Sequence, residues 1–454
     1  MKKRSCAFLL ALCLLLTACG CDSGSAEPST IPLTPAPEST TPAAEPSPEP
    51  TPELSQREKD WIEDIEFLRK EYKAQHMDPF YLRSEAESDW ALDHLISQVG
   101  ELSDNDIALE IVSFIAGMGD AHSFAFPAAP LFERRFPAAA RYYDGKLYLT
   151  ACLEGFEQLK PYLLHEIVAV NGVDIAHFNQ KANGIANSFN SWNSRQTAAS
   201  HYFLPAFFDW AGCDYTEGYT FQILNDNREV ELVEMPVVTS GEYSAGKWIY
   251  PENWKNRRVG NYAEYVDGEN GGYVYMTVDQ PLPGAKYSFK RLAETVGELL
   301  AGHPDCTKLA VDLRGNPGGD ASMVEPLREN AQLMEAEHVY VLTDGGSCSA
   351  SITFLAFFKN ELGSAIVGEP TGQFTSFFHM SSSEYEPLVL PHSQILVYLS
   401  DTWHDGDPIV EEYCDENGRL YGWENTILPD VYVYQDVEDV RQGKDSVLEW
   451  VLAQ

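Results

Sequence analysis

Between residues 271 and 370, short apolar runs of strand length alternate with amphipathic stretches of helix length: "GGYVYMTVDQ", "FKRLAETVGELLAG", "TKLAVDLRGNPGG", "VEPLRENAQLM", "HVYVLTD", "SASITFLAFFKNEL" and "SAIVGEP". Alternation of this kind predicts an α/β core whose strands carry their loops at one edge of the sheet. Chemistry-bearing residues at strand ends are therefore expected to meet there. No internal repeat accompanies the pattern.

Upstream the character changes. "SQREKDWIEDIEFLRKEYKAQH" places Trp61, Ile65 and Leu68 at helical spacing, and "ESDWALDHLISQVGEL" and "DNDIALEIVSFIAGM" continue it up to "GMGDAHSF". A β-rich stretch follows, with "GKLYLTACL", "HEIVAVNGVDI", "YTFQILND" and "REVELVEMPV" as strands around a more helical middle. In "EIVAVNGVDI", Asn171-Gly172 supplies a tight turn between two strands. The folded body thus divides into a helical region over 55–126, a β-rich domain over 127–240 and the α/β core over 241–454.

The N-terminal segment is not part of that body. "MKKRSCAFLLALCLLLTAC" has a basic start, an apolar run too short to cross a bilayer comfortably and small residues before a cysteine. Residues 1–18 read as an export signal, and Leu16-Thr17-Ala18-Cys19 resembles a bacterial lipobox. That resemblance implies a chain lipidated at Cys19 and anchored outside the cytoplasm. Residues 19–54, rich in Pro, Ser, Thr and Glu, offer no apolar face and read as an extended, disordered stalk.

Charge and cysteines narrow the partners. The net charge of -38 becomes more negative still once Lys2, Lys3 and Arg4 leave with the signal, and so acidic a surface repels phosphate backbones, which argues against nucleic acid. Outside the signal and Cys19, the cysteines Cys21, Cys152, Cys213, Cys306, Cys348 and Cys414 are widely spaced. They suggest no metal site and no disulfide framework, with room for one or two disulfides.

The residues most open to a chemical reading lie in "LTDGGSCSAS". Here the strand "HVYVLTD" runs through a short loop into a helix beginning near Ser349 or Ala350, so a hydroxyl at the junction lies over free N–H groups at the helix N-terminus. Ser347, Ser349 and Ser351 could equally serve as helix caps. A second loop, "DLRGNPGGD", ends the neighbouring strand pattern in Gly318 and Gly319, whose amides could approach a ligand closely.

Taken in order, "DLRGNPGG", "LTDGGSCSAS", "IVGEPTG", "ILPDVYV" and "GKDSVLEWVL" resemble the S41 family of C-terminal processing and tricorn-type serine peptidases from about residue 270 to the end. The resemblance implies a crotonase/ClpP-like catalytic core, preceded by a helical region and a PDZ-like domain. It makes Ser349 the nucleophile, with Cys348 as a fallback, and Gly318, Gly319 and Ala350 the oxyanion donors. The lysine base of the processing branch is missing, because Gln373 and Phe374 stand where it belongs, and Lys359 lies on the nucleophile's own helix. Ile352 departs from the acidic residue often found at its position. The tricorn-like branch instead implies His122 as base and Glu424 as its orienting group, with His379 as a rival base.

The expected activity is hydrolysis of peptide bonds in extracytoplasmic proteins or peptides through an acyl-enzyme, without metal or organic cofactor. Two alternatives remain at this level: an S41-like surface binding protein without turnover, and a crotonase-like acyl-transfer enzyme.

Overall fold

The computed structural model describes residues 53–454, apart from 121, 128, 186–189, 214, 255–259, 269–271, 282–285, 307, 382–385, 407–408 and 410–425. The signal, Cys19, almost all of the stalk and Glu424 lie outside the described residues. Among those described, no helix is long and apolar enough to cross a membrane.

The front of the folded body is three helices, Gln56–Gln75, Glu85–Gln98 and Asp104–Ala116. Each starts at a serine (Ser55, Ser84, Ser103) that accepts from the backbone three residues on, while the acidic side chain there bonds back to the cap. These reciprocal bonds satisfy two otherwise orphaned amides per helix. The apolar faces bury Ile65, Leu68 and Tyr72 from the first helix and Ile107, Ile111 and Ile115 from the third.

The β-rich stretch forms an antiparallel sheet in the order Trp248–Ile249, Lys146–Leu153, Glu166–Val170, Tyr219–Leu224, Val230–Met235, with Ala138–Tyr143 also paired to Lys146–Leu153. Its Asn171-Gly172 turn has both residues in the left-handed region, at φ 48° and 81°, as a two-residue hairpin of right-handed twist requires. The helical middle is Ile175–Ile185, Ser191–His201 and Pro205–Trp210. Front helices and sheet share one hydrophobic core, which also takes in Leu390, Ile395, Val397 and Leu399 from far along the chain. Strand Phe124–Phe126 pairs with Leu396–Tyr398, so the chain that leaves the α/β core returns to close the front region.

The α/β core is a six-stranded sheet in the order Tyr262–Val266, Tyr273–Thr277, Lys308–Asp312, His338–Thr343, Ala365–Gly368, Val431–Tyr432. The first pair is antiparallel and the others are parallel. Alternate residues take opposite faces. Val274, Met276, Leu309, Val311 and Val341 pack with residues of helices Lys286–Gly302 and Ala350–Leu362, whereas Tyr273, Tyr275, Ala310 and Leu342 pack with the C-terminal helix Ser446–Leu452. "VEPLRENAQLM" yields only short helical turns, Glu325–Arg328 and Ala331–Met334.

Arg314 fixes the C-terminal helix to this sheet. Its guanidinium meets both oxygens of Asp312 and both of Asp445 at 2.7–3.0 Å. Asp445 caps the helix and Asp312 ends the strand that leads into "RGNPGG".

Candidate active site

Strand His338–Thr343 leaves the sheet at Asp344, and residues 344–349 turn into helix Ala350–Leu362. The three serines there have different partners. Ser347 Oγ donates to the Leu313 carbonyl at 2.8 Å, and Ser351 Oγ to the Cys348 carbonyl at 2.9 Å. Both hydroxyls are used to hold the loop. Ser349 stands at the N-cap position but makes no capping bond. Its Oγ lies 2.9 Å from His122 Nε2, across 227 residues of sequence.

The backbone of Ser349 is held at φ 55°, ψ -126°, a region that costs a residue with a side chain about 1–3 kcal/mol. A strand-to-helix turn of this kind is the strained geometry that lifts a nucleophile clear of its sheet. Neighbouring loops hold it in place. The Ser349 N–H donates to Gln373 Oε1 at 2.8 Å and the Cys348 N–H to the Asn316 carbonyl at 3.0 Å.

Two glycines permit this approach. A Cβ on Gly318, at φ 97°, would sit 2.3 Å from Ser349 Cβ, and one on Gly372 would sit 2.4 Å from Cys348 Sγ. Asn193, from the helical middle, closes the far side by donating to the Gly345 carbonyl at 2.9 Å and to Cys348 Sγ at 3.2 Å.

His122 is fastened through its backbone. Buried Asp120 accepts the His122 N–H at 2.8 Å through Oδ1, while Oδ2 bonds Ser123 Oγ and lies 3.0 Å from His76 Nε2. Burial acts to raise the Asp120 carboxyl, but the His76 and Ser123 hydrogen bonds and the charges of His122 and His76 hold it below its ordinary value.

The His122 ring stacks on Phe377, with centroids 5.0 Å apart. Burial pushes its pKa below the ordinary 6.5, against the pull of Asp120, and the nearby His379 and His404 add to the lowering. The neutral imidazole that a base requires is the form favoured at neutral pH. Nδ1 is buried with no hydrogen-bond partner at good geometry among the described residues, although the Phe378 carbonyl faces the ring closely enough to favour its protonated form.

The rival groups are placed elsewhere. His379 Nδ1 lies 2.8 Å from the Met380 carbonyl, and no hydrogen bond joins its ring to Ser349. Lys359 is bound by Asp430 at 2.7 Å and by the Ser364 carbonyl at 3.1 Å. Burial, with the charge of Asp344, pushes the Cys348 thiol up to about 12, so it stays protonated and unreactive. Ile352 is simply a core residue.

The oxyanion donors do not all stand as the motif suggests. The Gly318 N–H is already given to Asn316 Oδ1 at 2.9 Å, so in this conformation it is no free donor. The amides of Gly319 and Ala350 have no acceptor among the described residues. Gly319, at φ 155°, is pressed against Pro281, whose carbonyl oxygen a Cβ would meet at 2.0 Å.

Ser349, His122, Gln373, Arg314, Asn193 and Glu369 border one open cavity of about 1420 Å³. Burial and the charge of Asp344 push Glu369 up to about 7. One wall is strand Ala138–Tyr143, paired along one edge only, to Lys146–Leu153, among the described strands. The four described cysteines Cys152, Cys213, Cys306 and Cys348 are free thiols. Among the described residues, no group of three or more His, Cys, Asp or Glu side chains is arranged to hold a metal ion.

Two asparagines escaped sequence reasoning. Asn193 and Asn316 look like ordinary helix and loop polars, and only their hydrogen bonds to Gly345, Gly318 and Cys348 show their use. Asp120 carried a weak signal, two residues before His122 in "GDAH".

A core of largely parallel strands with helices, a serine at a helix N-terminus and a front of helices and antiparallel sheet make up the architecture that the motif resemblance led us to expect. Among solved structures, mature CPAF shares this fold. In its complex with lactacystin it aligns with 87% of this chain and 97% of its own, at 12% identity and TM-score 0.58. A serine-to-alanine mutant of CPAF aligns with 87% of this chain and 96% of its own, at 10% identity and TM-score 0.55. The C-terminal processing protease of the photosystem II D1 protein aligns with 87% of this chain and 99% of its own, at 11% identity and TM-score 0.37. No protein-family model and no curated protein matches the chain.

Proposed function

We propose that the protein is a serine peptidase acting on extended polypeptide, with Ser349 as nucleophile and His122 as base. One observation carries this reading: the 2.9 Å contact between His122 Nε2 and the Oγ of a serine that caps nothing. A helix cap or a core polar residue has no need of such a pairing. A binding protein without turnover has no reason to retain it.

Ser349 Oγ attacks the carbonyl carbon as its proton passes to His122 Nε2, and the carbonyl π pair moves onto oxygen. The amides of Ala350 and Gly319 are the backbone donors free to receive that charge. Collapse re-forms the carbonyl and breaks the C–N bond, and the His122 proton leaves on the amine. Water then attacks the ester, giving its proton to His122, which returns it to Ser349 as the acid departs.

For His122 to accept a proton, Nε2 must carry the lone pair and Nδ1 the hydrogen. We assign the orienting role to Glu424, as the resemblance of the motifs implies. The cavity exceeds the size of typical small-ligand pockets. The edge of Ala138–Tyr143 along it, unpaired among the described strands, suits a substrate that adds as a strand.

We place the protein outside the cytoplasm, anchored by lipid on Cys19. The test of function uses a pool of peptides from denatured casein. The wild type should create new N-termini and Ser349→Ala should create none. Equal products from both would remove the proposed nucleophile.

A further inference from the structure

Gln373 stands where the sequence lacks the lysine of the processing branch, and the structure gives it a defined position. It is fully buried, and its Oε1 accepts the backbone N–H of Ser349 at 2.8 Å. That bond fixes the orientation of the carboxamide, because an N–H can face only the oxygen end. The NH2 end is thereby turned away, and it lies buried with no hydrogen-bond partner among the described residues. Gln373 borders the same cavity as Ser349 and His122.

A buried donor left without an acceptor is costly and rare. Here it is held firmly. The Gly372 N–H donates to the Ser347 carbonyl at 3.1 Å, Thr371 Oγ1 to the Gln373 carbonyl at 2.7 Å, and Asn190 Nδ2 to the Thr371 carbonyl at 3.1 Å. The loop cannot swing to find another partner without breaking these. Meanwhile the Gly318 amide is spent on Asn316, which leaves the oxyanion with fewer backbone donors than the glycine loop promises.

We propose that Gln373 is a catalytic residue: its Oε1 clamps the Ser349 backbone while its Nε2 donates to the oxyanion formed when Ser349 attacks, alongside the Ala350 amide. The assignment rests on the serine-peptidase reading. It forms and breaks no covalent bond. The donor is fixed before reaction and gains most when full charge develops on the oxygen, which is how a preorganised side-chain amide accelerates acyl transfer.

A fluorophosphonate tests this without knowledge of the natural substrate, because its phosphoryl oxygen occupies the oxyanion position as Ser349 is modified. Labelling rates would be compared for the wild type, Gln373→Met and Gln373→Glu, with melting temperatures alongside. Loss of one such donor should slow labelling by about 10²–10³-fold in Gln373→Met. Gln373→Glu keeps an oxygen for the Ser349 N–H, and its second oxygen donates only while protonated. Its labelling rate should therefore rise and then fall with pH, where the wild type rises to a plateau. A merely structural glutamine gives no falling limb. Wild-type rates and profile in a folded Gln373→Glu would overturn the proposal even if Gln373→Met failed to fold. If the wild type itself is not labelled at Ser349, the peptidase reading fails first, and the role of Gln373 falls with it.

Discussion

Replacing His122 with alanine removes the only side chain among those described that is hydrogen-bonded to Ser349 Oγ. The proton must then pass to water. General-base catalysis by a positioned side chain contributes roughly 10²–10⁴-fold, which at 1.36 kcal/mol per decade is about 3–5.5 kcal/mol of barrier. Stability should change far less. The lost stacking on Phe377 is worth about 0.5–1.5 kcal/mol, and it is offset by removing a buried Nδ1 without a good partner, which costs about 1–3 kcal/mol. The assay is peptide hydrolysis under saturating substrate, with thermal unfolding as the check on folding. We expect kcat down by at least ~10²-fold, with the melting temperature nearly unmoved. A folded His122→Ala enzyme within tenfold of wild type would refute the assignment, and His379→Ala would be the next variant.

The pH profile should rise with pH through a pKa below the ordinary histidine value, since burial lowers that of His122 and the neutral ring is the reactive form. Glu369, whose carboxyl burial and Asp344 push up to about 7 in the same cavity, is the rival source of such a limb, and Glu369→Gln should leave the limb in place. Gly318→Ala should abolish activity and destabilise the fold, since its Cβ would meet Ser349 Cβ at 2.3 Å. Gly155→Ala, with nothing within 4 Å of the added carbon, should cost only the backbone term of ~1–2 kcal/mol. Arg314→Met should destabilise by roughly 3–5 kcal/mol, measured by denaturant unfolding, because it strands the buried Asp312 without its cation. Glu424→Gln should reduce kcat by less than His122→Ala, and Lys359→Ala should leave it near wild type.

Although Val431–Tyr432 is too short to show a pattern, the α/β core was legible because Tyr273–Thr277, Lys308–Asp312, His338–Thr343 and Ala365–Gly368 alternate with helices and show theirs. The front helices were legible for the same reason. Phe124–Phe126, Leu388–Val389 and Leu396–Tyr398 were not, since strands of two or three residues carry no period and owe their existence to each other's edges. The position of Ser349 followed from strand-then-helix patterning. Its partner followed only from resemblance, because nothing local to "GDAHSF" says which distant loop it will face. Gln373 appeared in the sequence merely as the absence of a lysine. Whether a polar side chain is buried, and which end of its amide is spent, depends on loops far apart in sequence. The same holds for Gly318, whose flexible loop was visible but whose amide is taken by Asn316.

The most direct test of the account is the mass of the protein after reaction with a fluorophosphonate, followed by peptide mapping. One adduct, on Ser349, is expected in the wild type. None is expected in Ser349→Ala, and formation should be much slower in His122→Ala. An unmodified wild-type protein, or an adduct on another residue with Ser349 untouched, would contradict it.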